Sequence, residues 1–121
     1  MRPVDLVVRL EWLAVFLAAI AFYAWLDASW WLFTLLILSP DLSAAGYLAG
    51  PRVGAIAYNS VHTLLTPILL GALGIWLDIA WLLPVTTIVL AHIAIDRALG
   101  YGLKLATGFR DTHMGRIGKA P

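Results

Sequence analysis

Joints of two or three residues separate four long apolar segments, at residues 10–26, 30–49, 53–77 and 80–103. The joints are Asp27-Ala28-Ser29, Gly50-Pro51-Arg52 and Asp78-Ile79. Each segment is close to the about 20 residues that a helix needs to cross a hydrocarbon core of about 30 Å. Links this short force consecutive helices to run antiparallel. The expected fold is therefore all-α: a four-transmembrane-helix up-down-up-down bundle over residues 1–106, followed by a short basic cytoplasmic tail over 107–121. Composition points the same way. Hydrophobic residues make up 62% and charged residues 12% of the chain, against roughly 45–50% and 25% in soluble domains. The chain has no cysteine. Disulfides, thiolate metal sites and CxxC redox chemistry are thereby excluded, and any site must use oxygen and imidazole groups.

Orientation follows from the basic residues. Arg2 and Arg9 begin the chain, Arg52 lies in the second joint, and Arg97, Lys104, Arg110, Arg116 and Lys119 fall at or beyond the end of the fourth segment. The other two joints carry only Asp27 and Asp78, flanked by Trp25, Trp30, Trp31, Trp76 and Trp81 as in an interfacial aromatic belt. A multi-pass protein of the bacterial inner (plasma) membrane with both termini cytoplasmic is expected. Reading the first segment as a cleaved signal peptide instead would put Glu11 inside its apolar stretch and leave three helices with an inverted charge pattern.

Counting 1.5 Å per residue from the middle of each segment places Asp41, His62 and His92 about 3–5 Å to the cytoplasmic side of the midplane. Glu11, Asn59 and Asp96 form a second layer, roughly 9 Å from it. His92 and Asp96 are four apart and Asn59 and His62 three apart, so each pair shares a helix face. Pro40 removes a backbone hydrogen bond beside Asp41 and kinks the second helix. Ionisable groups at such depth face the bundle interior, since lipid exposure of a charge costs about 2.5–3.5 kcal/mol. Two imidazoles and a carboxylate are a common set for Zn²⁺ or Fe²⁺. Asp41, His62 and His92 are the candidate metal ligands, and Glu11 and Asp96 the candidate catalytic carboxylates. Asn59, Tyr58, Tyr101 and Arg97 are candidates for substrate binding or for orienting the ligands. Asp111 and His113 join them if the glycine-rich tail folds back as a lid; otherwise the tail is a basic segment on anionic headgroups.

A purely structural pairing competes with this reading. Asp96 or Glu11 can bridge to Arg97, Asp41 can reach Arg52, and each histidine can bond a carbonyl freed by Pro40 or Pro67. Gly46 and Gly50 are spaced for close helix packing, as are Ala14 and Ala18.

The runs GPRVGAIAYNSVH (50–62), AHIAIDRALGYGLK (91–104) and TGFRDTHMGRIG (107–118) resemble a family of small bacterial integral membrane proteins catalogued as domain of unknown function 4260. The similarity covers residues 10–118. It implies a compact multi-helix membrane protein and brings no activity or residue roles with it. Function therefore rests on the polar layers, which admit a metal-dependent membrane enzyme acting on a lipid-like or other hydrophobic small molecule. A small proton-coupled transporter is the second class, similar in size and helix count to the small multidrug resistance transporters. A b-type haem protein, with His62 and His92 as axial ligands, and a structural membrane protein complete the set. The expected partners are membrane lipid, that small molecule and a second copy in a homodimer, with no nucleic acid.

Overall fold

A computed structural model describes residues 1–118. The chain is all-helical apart from a small hairpin: α1 (Pro3–Trp25), α2 (Trp30–Leu36), a 3₁₀ helix (Ser39–Ala49), α3 (Pro51–His62), α4 (Leu65–Trp76), α5 (Leu82–Leu99), and the strands β1 (Asp111–Thr112) and β2 (Gly115–Arg116). Three helical stretches are long and apolar enough to cross a membrane: Pro3–Trp25, Trp30–Ala49 and Leu82–Leu99. A bent pair, Pro51–His62 with Leu65–Trp76, makes a fourth if counted as one span.

Two of the four expected segments are thus broken, and a proline accounts for each break. The ring of a proline collides with the carbonyl four residues earlier and brings no N–H to bond it. For Pro40 that residue is Leu36, where α2 ends. For Pro67 it is Thr63, which is extended (φ −81°, ψ 147°) and sits at a 42° bend between α3 and α4. The kink expected at Pro40 is larger than a kink: the chain runs through it as an eleven-residue 3₁₀ helix that starts at Ser39. The break at Pro67 divides a segment that reads as continuous in the sequence.

Helix α5 lies at the centre, packed against α1 and α4, while α3 packs against the 3₁₀ helix. Ile88, Ala91, His92, Ile93, Ala94 and Arg97 of α5 are all buried. A left-handed residue, Gly100 (φ 94°), terminates α5, with Tyr101 N–H bonded to Asp96 C=O at 2.7 Å and Gly100 N–H to Arg97 C=O at 3.1 Å. This is a Schellman stop, which only glycine forms without steric cost. It turns the chain back under the bundle. Leu103–Leu105 then runs beside Asp111–His113, through Leu105 N–H to Asp111 C=O (2.7 Å) and His113 N–H to Leu103 C=O (2.9 Å). Strand β1 also pairs with β2. The tail is therefore folded up to residue 118; residues 119–121 of the expected tail, Lys119 among them, lie outside the described residues.

Contact between the 3₁₀ helix and α3 depends on small residues. A Cβ at Gly46 would lie 2.8 Å from Ala57 Cβ, and one at Gly54 would lie 2.3 Å from the Tyr47 ring. Gly50 differs from the packing role expected of it: nothing lies near its missing Cβ, and its φ of 110° serves the turn into α3. Gly54→Ala should lower stability by about 1–3 kcal/mol, the usual cost of overpacking. Gly71→Ala, whose new methyl meets Thr86 Cγ2 at 3.2 Å, should cost far less. Thermal melts in detergent would check both, and equal melting temperatures for the two variants would contradict this packing.

Candidate metal centre

The proline breaks that interrupt the helices also expose backbone carbonyls, and buried side chains take them up. In the 3₁₀ helix Asp41 N–H bonds Leu38 C=O at 3.1 Å, so Ile37 C=O loses the partner that a continuous α-helix would give it. His92 Nδ1 lies 2.6 Å from that oxygen. His62, the last residue of α3, places Nδ1 2.7 Å from Tyr58 C=O, one turn back in its own helix. The carbonyl of His62 itself accepts from Arg97 Nη2 at 2.9 Å, a cationic cap on a helix C-terminus.

These bonds set the tautomers. A carbonyl can only accept, so each Nδ1 carries the proton and each neutral ring presents the lone pair of Nε2. The two Nε2 atoms face each other at 3.2 Å. Asp41 Oδ1 lies 3.2 Å from His62 Nε2 and 3.1 Å from His92 Nε2. Asp96 Oδ2 completes the group, 3.3 Å from His92 Nε2 and 3.7 Å from His62 Nε2. All four ligand atoms lie within 4.8 Å of one another. Both imidazoles are buried, Asp96 is mostly buried, and Asp41 is half-exposed. Four acceptors directed at one point repel each other unless a proton or a metal cation sits among them. The cluster could hold a metal ion. Metal–donor bonds of about 2.0–2.2 Å call for donors roughly 3–4 Å apart; the five separations above range from 3.1 to 3.7 Å, and the sixth, between the two carboxylates, is under 4.8 Å.

The structure thus brings together Asp41, His62 and His92 and adds Asp96, which the sequence suggested as a catalytic carboxylate. The Tyr58 ring stacks on that of His62, 3.6 Å between centroids and 7° between planes, and its hydroxyl is 3.5 Å from Asp96 Oδ2. Arg97 caps α3 as described. Glu11 is exposed on α1 and is not part of the cluster. Asn59 faces the tail: its side-chain NH₂ donates to Lys104 C=O (2.8 Å) and its Oδ1 accepts from Lys104 N–H (2.6 Å). Tyr101 is exposed, and its carbonyl accepts from Arg97 Nη1 at 3.2 Å. Asp111 is occupied within the tail, accepting from Thr107 Oγ1 (2.7 Å) and paired with Arg116 (3.2 Å). His113 Nδ1 accepts from Leu103 N–H at 2.8 Å. Burial, then the charge of Arg97, pushes the His113 imidazolium below the ordinary histidine value.

A cavity of about 420 Å³ opens on the carboxylate side of the cluster, lined by Asp41, Asp96, Tyr58, Tyr101, Lys104, Phe109 and Ile117 among others. Lys104 and Phe109 were not singled out as site residues in the sequence. Lys104 counted there only as one of the cytoplasmic basic residues, and no spacing marks it. A larger cleft, about 730 Å³, lies between the start of α1 and the tail; Arg2, Arg9, Arg97 and Arg116 line it and the cluster does not.

Broken apolar helices around a buried His₂Asp₂ cluster define an all-helical protein of membrane-compatible composition whose polar centre could take a metal. The chain belongs to the family described as Domain of unknown function (DUF4260), whose model matches residues 5–117. No curated protein and no solved structure matches it.

Proposed function

We propose that this chain spans a membrane four times, with both ends cytoplasmic, and that Asp41, His62, His92 and Asp96 hold one Zn²⁺ or Fe²⁺ with which a lipid-like substrate is hydrolysed. The outward faces support the membrane assignment. Leu35, Leu48, Ile56, Ile68 and Ile75 are all exposed, as are Trp25, Trp31, Trp76 and Trp81 near the joints. Apolar surface on this scale calls for lipid or a partner. The metal assignment rests on one observation: four acceptor atoms from the 3₁₀ helix, α3 and α5 converge while both imidazoles spend their protons on backbone carbonyls.

A bound Zn²⁺ or Fe²⁺ supplies Lewis acidity and a water of lowered pKa. The chain supplies the rest. Asp41, on the cavity side, presents Oδ1 to the histidines and keeps Oδ2 to take a proton. Tyr58 and Phe109 wall the cavity with apolar surface suited to a hydrocarbon chain. Glu11 has no part in this reading. Haem does not fit, because two axial imidazoles need roughly 4 Å between nitrogens, twice a metal–imidazole bond of about 2 Å, and the two Nε2 atoms are 3.2 Å apart.

Protein purified in detergent without chelator or metal-stripping resin should contain about one Zn or Fe per chain by elemental analysis. Chelation should lower the melting temperature and restored metal should recover it, since an ion at a hundred times its Kd contributes about 2.7 kcal/mol. Negligible metal, with no shift on adding Zn²⁺ or Fe²⁺, would leave the cluster as a proton-carrying network and end the metal reading.

A further inference from the structure

Lys104 is buried, with 4% of its surface exposed, and is held by unusually specific contacts. Asn59 clamps both its N–H and its C=O (2.6 and 2.8 Å), and it forms a bridge with Thr112. Its Nζ lies 3.9 Å from the centroid of the Phe109 ring and 4.7 Å from that of Tyr58. Among the described residues no carboxylate comes within 4.0 Å of that Nζ. The residue nonetheless lines the cavity with Asp41 and Asp96. An ammonium withdrawn from water is expected to have an anion beside it. Here aromatic faces hold it on one side, and the cavity is the remaining direction from which an anion can reach it.

We infer that Lys104 is an anion-binding residue of this cavity, and that the ligand carries a phosphate group bridging the metal and the Lys104 ammonium while its apolar part lies along Phe109 and Ile117. The inference rests on the metal reading for one end of the bridge and on Lys104 alone for the other. A phosphate is favoured because its several terminal oxygens serve two cations at once. Desolvation pushes the Lys104 ammonium down from its ordinary lysine value, with the charges of Asp96 and Asp41 opposing the shift. A bound phosphate would oppose it further.

The experiment uses the full chain loaded with Zn²⁺ and two probes: inorganic phosphate, and nanodiscs of phosphatidylcholine with or without phosphatidic acid. Metal content is measured on every sample. Wild type should bind one or both phosphate probes, and Lys104→Met should weaken that binding about tenfold or more, as expected for loss of a charged hydrogen bond, at unchanged metal content. Lys104→Arg should retain most of it. Binding of phosphatidic acid alone identifies a lipid headgroup as the source; equal competition by inorganic phosphate identifies a free anion. Either result supports the inference. Should Lys104→Met not fold, the wild type decides, because phosphate must then slow reductive methylation of Lys104. Undiminished binding by Lys104→Met, binding of neither probe, or an unprotected Lys104 would overturn it. A wild type that binds phosphate through Lys104 but carries no metal would instead remove the metal reading and leave the lysine site standing.

Discussion

His92→Ala should lose its metal. With one of four proposed ligands gone, affinity falls by about 2.5–4 kcal/mol, a quarter of the roughly 10–16 kcal/mol that structural zinc sites supply. Occupancy measured by elemental analysis should then drop from about one ion per chain to a small fraction after a single dialysis. Stability falls with it, for two further reasons. Ile37 C=O loses the Nδ1–H that now satisfies it at 2.6 Å, and an unpaired buried acceptor costs about 1–3 kcal/mol. The vacated ring volume in the packed centre of α5 adds a cavity term. His92→Gln separates these effects, since its amide can still donate to Ile37 but is a poor ligand; it should recover part of the melting temperature and little of the metal. Full metal content in His92→Ala would show that the ion sits elsewhere.

Arg97→Met should have the second large effect, although Arg97 is no ligand. Its guanidinium is buried, caps the last carbonyl of α3 at His62, reaches Tyr101 C=O, and lies 5.9 Å from the centroid of Trp12. Methionine keeps the apolar stem and abandons both carbonyls, for a loss of about 2–4 kcal/mol. Since His62 is the residue that is capped, fraying of α3 moves a proposed ligand, and metal affinity should fall by about tenfold or more, the usual effect of removing support behind a ligand. Detergent melts and metal titrations on the same preparation would check both. Wild-type values in either would refute the capping role.

Much of this centre was legible from depth counting. Asp41, His62 and His92 lie at one level in the sequence, and the structure brings their side chains together. Counting by Cα position sets Asp96 one layer lower. In a helix each Cα–Cβ bond leans toward the N-terminus, so the carboxylate of Asp96 reaches back a turn toward His92 and joins it. Glu11 shares a level with the cluster's lower edge, yet α1 turns it outward, and hydropathy cannot fix the rotation of a helix that is apolar all round. Pro40 announced its break. Pro67 did not, because its segment stays apolar on both sides of the bend. Lys104 was unreadable for another reason: its neighbours Asn59 and Phe109 come from either side in sequence, and only the Gly100 stop brings them together.

The 3₁₀ helix has a geometric consequence for the cavity. With three residues per turn, positions i and i+3 eclipse instead of winding around the axis. Asp41, Ala44 and Tyr47 therefore stand in a straight file, one step about every 6 Å at a rise of about 2.0 Å per residue. Asp41 heads this file at the histidines, Ala44 lines the cavity, and Tyr47 meets Phe109 edge-on at 5.4 Å. In an α-helix the same three residues would drift around the axis by about 60° per step, since 3.6 residues make a turn. The unusual winding thus makes a ruler along the cavity wall, with the methyl of Ala44 as its middle mark and the Asp41 carboxylate as its zero.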